Sequence, residues 1–287
     1  MSAAQTWYRL LLRVYPREHR AAYGAEILDA LGEAAPSGRP SVRESVALVR
    51  EGAAERVRRR TAPWWADGLH LALTVLAAVN LAYALVDREN AWWTAVSAAL
   101  LLVLLRGWTL AALPLALAVA FSTARGMVGV DGTGDGRFHK MADLAGYLGP
   151  EYWNWVSLIP YGLLAAGAVV LAALYRKNLP ARSWWWAAVP AVELAASLVA
   201  DRWDVTFPFL RVGLEGGLLL AGLWATLVTR SPRFAVAGAF YVVPGEINAL
   251  VYPPQSTGDV AYRCVLAVLL VVTAALLTRP RRPEPAG

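Results

Sequence analysis

The chain has 287 residues, 57% of them hydrophobic, with mean hydropathy +0.43, 13 tryptophans and net charge +6. Such a composition excludes an ordinary water-soluble domain and makes a lipid bilayer the expected solvent. A single cysteine, Cys264, excludes an internal disulfide, and the scattered His19, His70 and His139 lack zinc-site spacing, so neither a metal nor a cofactor is expected.

The opening segment is charged and helical in pattern. It does not have the form of a secretory signal, which needs an apolar run of about 7 to 15 residues; here only Leu10 to Leu12 lie between two arginines. Trp7 to Val14 has helical spacing of apolar residues, Pro16 suits the first turn of a second helix, and Tyr23, Ile27, Leu28 and Leu31 form a stripe along it. Pro36 and Pro40 interrupt the pattern. Ser41 and Glu44 then have the spacing of a capping box, opening a third helix with Val42, Val46, Val49 and Val57 on one face. Three short helices in residues 1–62 bury little core, so this cytoplasmic head is expected to lean on the membrane-facing loops of the bundle, on the bilayer surface or on a protein partner.

Apolar stretches follow at 65–86, 91–105, 108–121, 155–174, 184–200, 210–228, 234–251 and 262–277. The expected fold is all-α: a polytopic bundle of about eight transmembrane helices over residues 63–278, with a short basic cytoplasmic tail at 279–287. The stretches 91–105 and 108–121 are short for about 30 Å of hydrocarbon, and one broken span is the alternative. Charge parity favours eight. Basic clusters at Arg56 to Arg60, Arg176/Lys177/Arg182, Arg230/Arg233 and Arg279/Arg281/Arg282 then share one side, which places both termini in the cytoplasm of a cell-membrane protein. Carboxylates such as Asp87, Glu89, Asp135, Glu151, Asp201 and Asp259 fall on the other side. Tryptophans at 64, 65, 92, 93, 153, 155 and 184–186 lie at span ends, where indole rings anchor at headgroup level. The positive charge therefore belongs to loops facing lipid, and nucleic acid is not an expected partner.

The segment "WYRLLLRVYPREHRAAYGAEIL", followed by "SVRESVALVREGAAERVRRR", resembles the cytoplasmic permease-prefix segment of bacterial membrane proteins, including actinobacterial ones and prefixed ABC-type permeases. Trp7, Tyr8, Arg9, Leu11, Tyr15, Pro16, Arg17, Tyr23, Gly24 and Glu26 carry the resemblance in order. It covers about a fifth of the chain. It implies a multi-pass membrane protein of permease type, while the large extracytoplasmic domain of the prefixed ABC permeases has no counterpart here.

Inside the apolar stretches, Glu193, Glu215 and Glu246 are out of place. Each carboxylate costs about 2.5 to 3.5 kcal/mol on insertion scales and must face protein or water. Arg211, four residues before Glu215, can pair with it along one helix face, and Asn80 and Asn248 lie in the same outer halves. These six residues are the candidate substrate or ion pathway, an outward-facing polar site of a permease-like protein. Pro244 and Gly245 precede Glu246, as where transporter helices break around a site. The alternatives are an interhelical pair at Arg211–Glu215 and a snorkelling Arg263. Gly213, Gly216, Gly217 and Gly222 read as close helix packing. Residues 131–143 resemble a calcium loop, but its twelfth position is Ala142 in place of a bidentate glutamate. A sensor or scaffold signalling through the head is the second reading. No zinc motif or nucleophile elbow points to an enzyme.

Overall fold

The computed structural model describes residues 3–34, 40–58, 62–87, 91–128, 155–175, 179–200, 206–251, 253 and 257–278. The residues 129–154, which include the calcium-like loop, lie outside them. All regular structure among the described residues is helical: α1 (Ala3–Leu11), α2 (Arg17–Ala34), α3 (Val42–Arg58), α4 (Trp64–Asp87), α5 (Ala91–Arg106), α6 (Thr109–Val128), α7 (Ile159–Leu174), α8 (Ala188–Ala200), α9 (Thr206–Thr229), α10 (Arg233–Val251) and α11 (Thr257–Thr278). Short 3-10 turns cover Leu12–Val14, Trp155–Leu158 and Trp184–Ala187. The chain divides into two compact units, Met1–Thr61 and Ala62–Gly287.

In the first unit, Tyr8, Ala4, Leu12, Tyr15 and Leu48 form the core, with Ile27, Leu28 and Leu31 packed against it. The start of α3 is held in an unexpected way. Ser41 and Glu44 do form part of a cap, with the Glu44 amide 3.5 Å from Ser41 Oγ. The Glu44 carboxylate does not reach back to the Ser41 amide, however. The hydroxyl of Tyr8 stands between them, donating to Glu44 Oε2 (3.0 Å) and accepting from the Ser41 amide (2.9 Å). A reciprocal cap is thus relayed through a side chain of α1. Tyr8→Phe removes both bonds and leaves the amide and carboxylate facing an apolar ring edge. A cost of about 1–2 kcal/mol is expected. Hydrogen exchange on the full chain should show faster exchange at Ser41 to Ser45 with the amides of α4 unchanged.

Two expectations for this unit are corrected. Val42 and Val46 do not face the core: they are 79% and 62% exposed, and the buried face of α3 runs through Leu48 and Gly52 instead. The reason is Tyr15, whose ring lies so close to Gly52 that an added Cβ would stand 2.8 Å from it. A glycine, invisible to apolar periodicity, sets the helix rotation. Tyr23 leaves the stripe as well. It is half exposed and lies tilted on His19, which in turn stacks on Tyr15 at 5.0 Å. Burial first, then the carboxylates of Glu51 and Glu55, push the Tyr15 hydroxyl up from its usual range.

The second unit is organised around α4, which packs on α5, α7, α8 and α10. A helix apolar on all sides suits such a central place, and alanines at 66, 72, 77, 78, 82 and 84 let neighbours come close. Among the described residues, three helices are long and apolar enough to cross a membrane: Trp64–Leu85, Arg233–Val251 and Val260–Leu277. The apolar parts of four others, Ala91–Arg106, Thr109–Ala124, Ile159–Leu174 and Glu215–Thr229, are shorter. Each of the eight apolar stretches is helical, but fewer than eight meet the length criterion; the 16 residues of α5 rise only about 24 Å. α5 and α6 are separate helices packed on one another, divided at Gly107, whose φ is +75°. The glycine expectation fails at three of its four positions; only Gly222 faces a neighbour, where an added Cβ would stand 3.8 Å from Phe234 Cβ. Added Cβ atoms at Gly213, Gly216 and Gly217 would meet nothing within 4 Å, whereas at Gly68 one would stand 3.0 Å from Arg233 Cα. The close approach therefore belongs to α4 and α10.

Candidate functional site

Two buried polar groups occupy opposite ends of α10. The first is built on Asp67, in the opening turn of α4, where a carboxylate suits the positive end of the helix dipole. Asp67 is fully buried, and both of its oxygens are taken by arginines from distant parts of the chain. Arg182 Nη2 donates to Oδ1 at 2.6 Å and to the Asp67 carbonyl at 2.6 Å; Arg233 Nη1 donates to Oδ2 at 2.7 Å. One turn along α4, His70 Nδ1 accepts from Arg182 Nε at 3.1 Å, while its Nε2 lies 2.7 Å from the Leu104 carbonyl. A guanidinium only donates and a carbonyl only accepts, so His70 carries its proton on Nε2.

The last turn of α5 is the socket that presents Arg182. Gly107 and Trp108 donate back to the carbonyls of Leu104 and Val103, the double bond of a Schellman motif, for which a positive φ at Gly107 is required. The remaining carbonyls receive the segment after α7: the Leu179 amide donates to Gly107 (2.9 Å) and the Arg182 amide to Leu105 (2.8 Å). On the other side Arg233 Nε donates to Ser231 Oγ at 2.7 Å, and Arg230 Nη1 reaches the Leu276 carbonyl at the end of α11. The cluster thus ties α4, α5, the segment 179–182 and α10 at one end of the bundle. Arg182 and Arg233, expected as loop charges, are instead its buried and half-buried members. A signal was present: Asp67 and His70 lie three apart within an otherwise apolar stretch, on one helix face.

The second group lies toward the far ends of α10 and α11 and includes three of the six expected site residues. Glu215 on α9 is buried and accepts from the Tyr241 hydroxyl of α10 at 2.7 Å. Arg263 on α11 is also buried and donates to the Gly245 carbonyl at 2.6 Å, so it packs inside the bundle and does not snorkel. Tyr241, Gly245 and Asn248 fall at i, i+4 and i+7 on one face of α10, with Asn248 buried. Glu246, partly buried beside that face, is within Coulombic reach of Arg263. Pro244 lies inside this stretch and removes one amide from the helix ladder. Asn80 is buried but elsewhere, donating to Ser97 of α5 at 2.8 Å. Glu193 lies on α8 and Arg211 on α9, their side chains outside the described residues. No group of three or more His, Cys, Asp or Glu side chains that could hold a metal occurs among the described residues. No protein-family model matches the chain, and no curated protein or solved structure matches it.

Proposed function

We propose that the protein is a permease-like carrier of the cell membrane. About eight helices span the bilayer, both termini are cytoplasmic, and residues 1–62 form a permease-prefix-like head. Its outward-side polar site is formed by Glu215, Glu246, Asn248 and Arg263, with Glu193, Arg211 and Asn80 as further members of the pathway. The Asp67 cluster is its closed inner gate. The observation that carries this reading is α10 itself: a helix latched by charge at one end, interrupted by Pro244, and engaged by a buried carboxylate and a buried arginine at the other. Buried ionisable groups on helix–helix faces mark pathways in membrane proteins. The separate compact head favours a second reading, a sensor that signals to a cytoplasmic protein through residues 1–62.

The two ends of α10 must be coupled if this is a carrier. With Cys264 replaced by serine, a cysteine at Asn248 should react with an impermeant thiol reagent outside intact cells, and one at Thr74, a turn beyond His70, should react in inverted vesicles. Arg233→Gln keeps the Asp67–Arg182 pair but loosens the gate. It should raise labelling at Thr74 and lower it at Asn248, changing the ratio of the two about tenfold, as a shift of about 1.4 kcal/mol between two states requires. Labelling at Asn248 that ignores Arg233 would show a static bundle.

A further inference from the structure

The head carries an apolar surface that its own core does not use. Trp7 is 45% exposed although its indole N–H is already satisfied by Ser45 Oγ at 3.0 Å. That bond lays the ring against α3 beside Val42 and Val46, three residues before and one after Ser45, and Leu10 continues the surface one turn along α1. An indole whose polar edge is bonded internally displays only its apolar part. The charges are sorted around this surface. The helix α2 carries four carboxylates against two arginines, whereas α1, the turn after it and α3 carry six arginines against three carboxylates. Arg9, Arg43 and Arg50 are exposed and flank the apolar residues.

From this placement we infer that Trp7, Leu10, Val42 and Val46 form a membrane-docking face, seated on anionic lipid headgroups of the bilayer that holds the bundle. An apolar strip with tryptophan, bordered by arginines and backed by an acidic helix, is the pattern of an element lying in the headgroup layer. Only five residues separate the end of α3 at Arg58 from the start of α4 at Trp64, a reach of about 20 Å, which keeps the face at high effective concentration near lipid. The inference rests on the membrane reading above.

The test uses the full chain with Cys264 replaced by serine, in nanodiscs of phosphatidylcholine with or without phosphatidylglycerol. Nitroxides are placed singly at Val46, at Asp29 on α2 and at Val268, an exposed α11 residue, and collisions with oxygen and with a water-soluble nickel chelate are compared. In phosphatidylglycerol discs Val46 should match the lipid-like ratio of Val268 while Asp29 stays water-like. In pure phosphatidylcholine, or with Arg43→Gln and Arg50→Gln, the Val46 ratio should fall about fivefold. A water-like Val46 beside a lipid-like Val268 would overturn the docking face alone. A water-like Val268 would overturn the membrane reading and the docking with it. Shielding of Val46 from both reagents in either lipid would mean that protein, whether the bundle or another copy, covers the face, and the inference would be wrong.

Discussion

Replacing Asp67 by asparagine is expected to destabilise the bundle by about 3–5 kcal/mol, because one carboxylate holds two arginines that have been withdrawn from water. The asparagine keeps the shape but offers one oxygen, and it leaves Arg182, with a side chain only 2% exposed, beside His70 and the end of α5 without a counter-charge. Thermal unfolding of the purified full chain in detergent should show a midpoint lower by roughly 10 °C. Arg233→Gln should cost less, since that side chain sits nearer the rim at 11% exposure. Removing the charge on both sides should recover part of the loss, because a buried ion pair exchanged for apolar groups is often neutral. A variant Asp67→Leu/Arg182→Met that melts above Asp67→Asn would show the penalty to be the orphaned guanidinium. A midpoint for Asp67→Asn within the error of the parent would remove the cluster from any structural or gating role.

Gly107→Ala is expected to be as damaging through backbone alone. Its Cβ would run into the Leu179 carbonyl oxygen, a main-chain atom that cannot rotate away, and the positive φ is itself unfavourable for alanine. Either the Schellman turn opens or the segment 179–182 leaves the α5 socket, and in the second case Arg182 is withdrawn from Asp67. A loss of about 3 kcal/mol or more should appear as a lower melting midpoint and reduced yield of folded protein. Gly213→Ala is the matched control. An added Cβ there meets nothing within 4 Å, and alanine is the better helix former, so stability should be unchanged or gain up to about 1 kcal/mol. Equal losses at both positions would mean that strain at Gly107 is not special.

Helical class and helix positions were legible because apolar runs of this length admit few alternatives, whereas the boundary at Gly107 had to come from the structure. The second polar group was partly legible for a related reason: Glu215 and Glu246 stand out against an apolar background, although their contacts with Tyr241 and Arg263 involve other helices and leave no mark in local spacing. The Asp67 cluster was hidden by the same logic that located the loops. Arginines at one end of a bundle satisfy the positive-inside pattern whether they face water or a buried carboxylate, and only packing separates the two cases. Rotation of α3 was misjudged because valines advertise a core face, while the contact that decides it, the Tyr15 ring on Gly52, depends on a side chain that is not there.

The Asp67 cluster also has a history in time. The carboxylate precedes Arg182 by 115 residues and Arg233 by 166 in the chain. At about 5–20 residues per second of synthesis, Asp67 leaves the ribosome several seconds to half a minute before its second cation. Until Arg182 arrives, the first turn of α4 holds a carboxylate that must stay hydrated, so this helix cannot complete its packing on its own. Completion of the bundle is therefore tied to the arrival of α10, and a chain interrupted before Ser231 would keep the Asp67–Arg182 pair but leave Asp67 Oδ2 without its arginine.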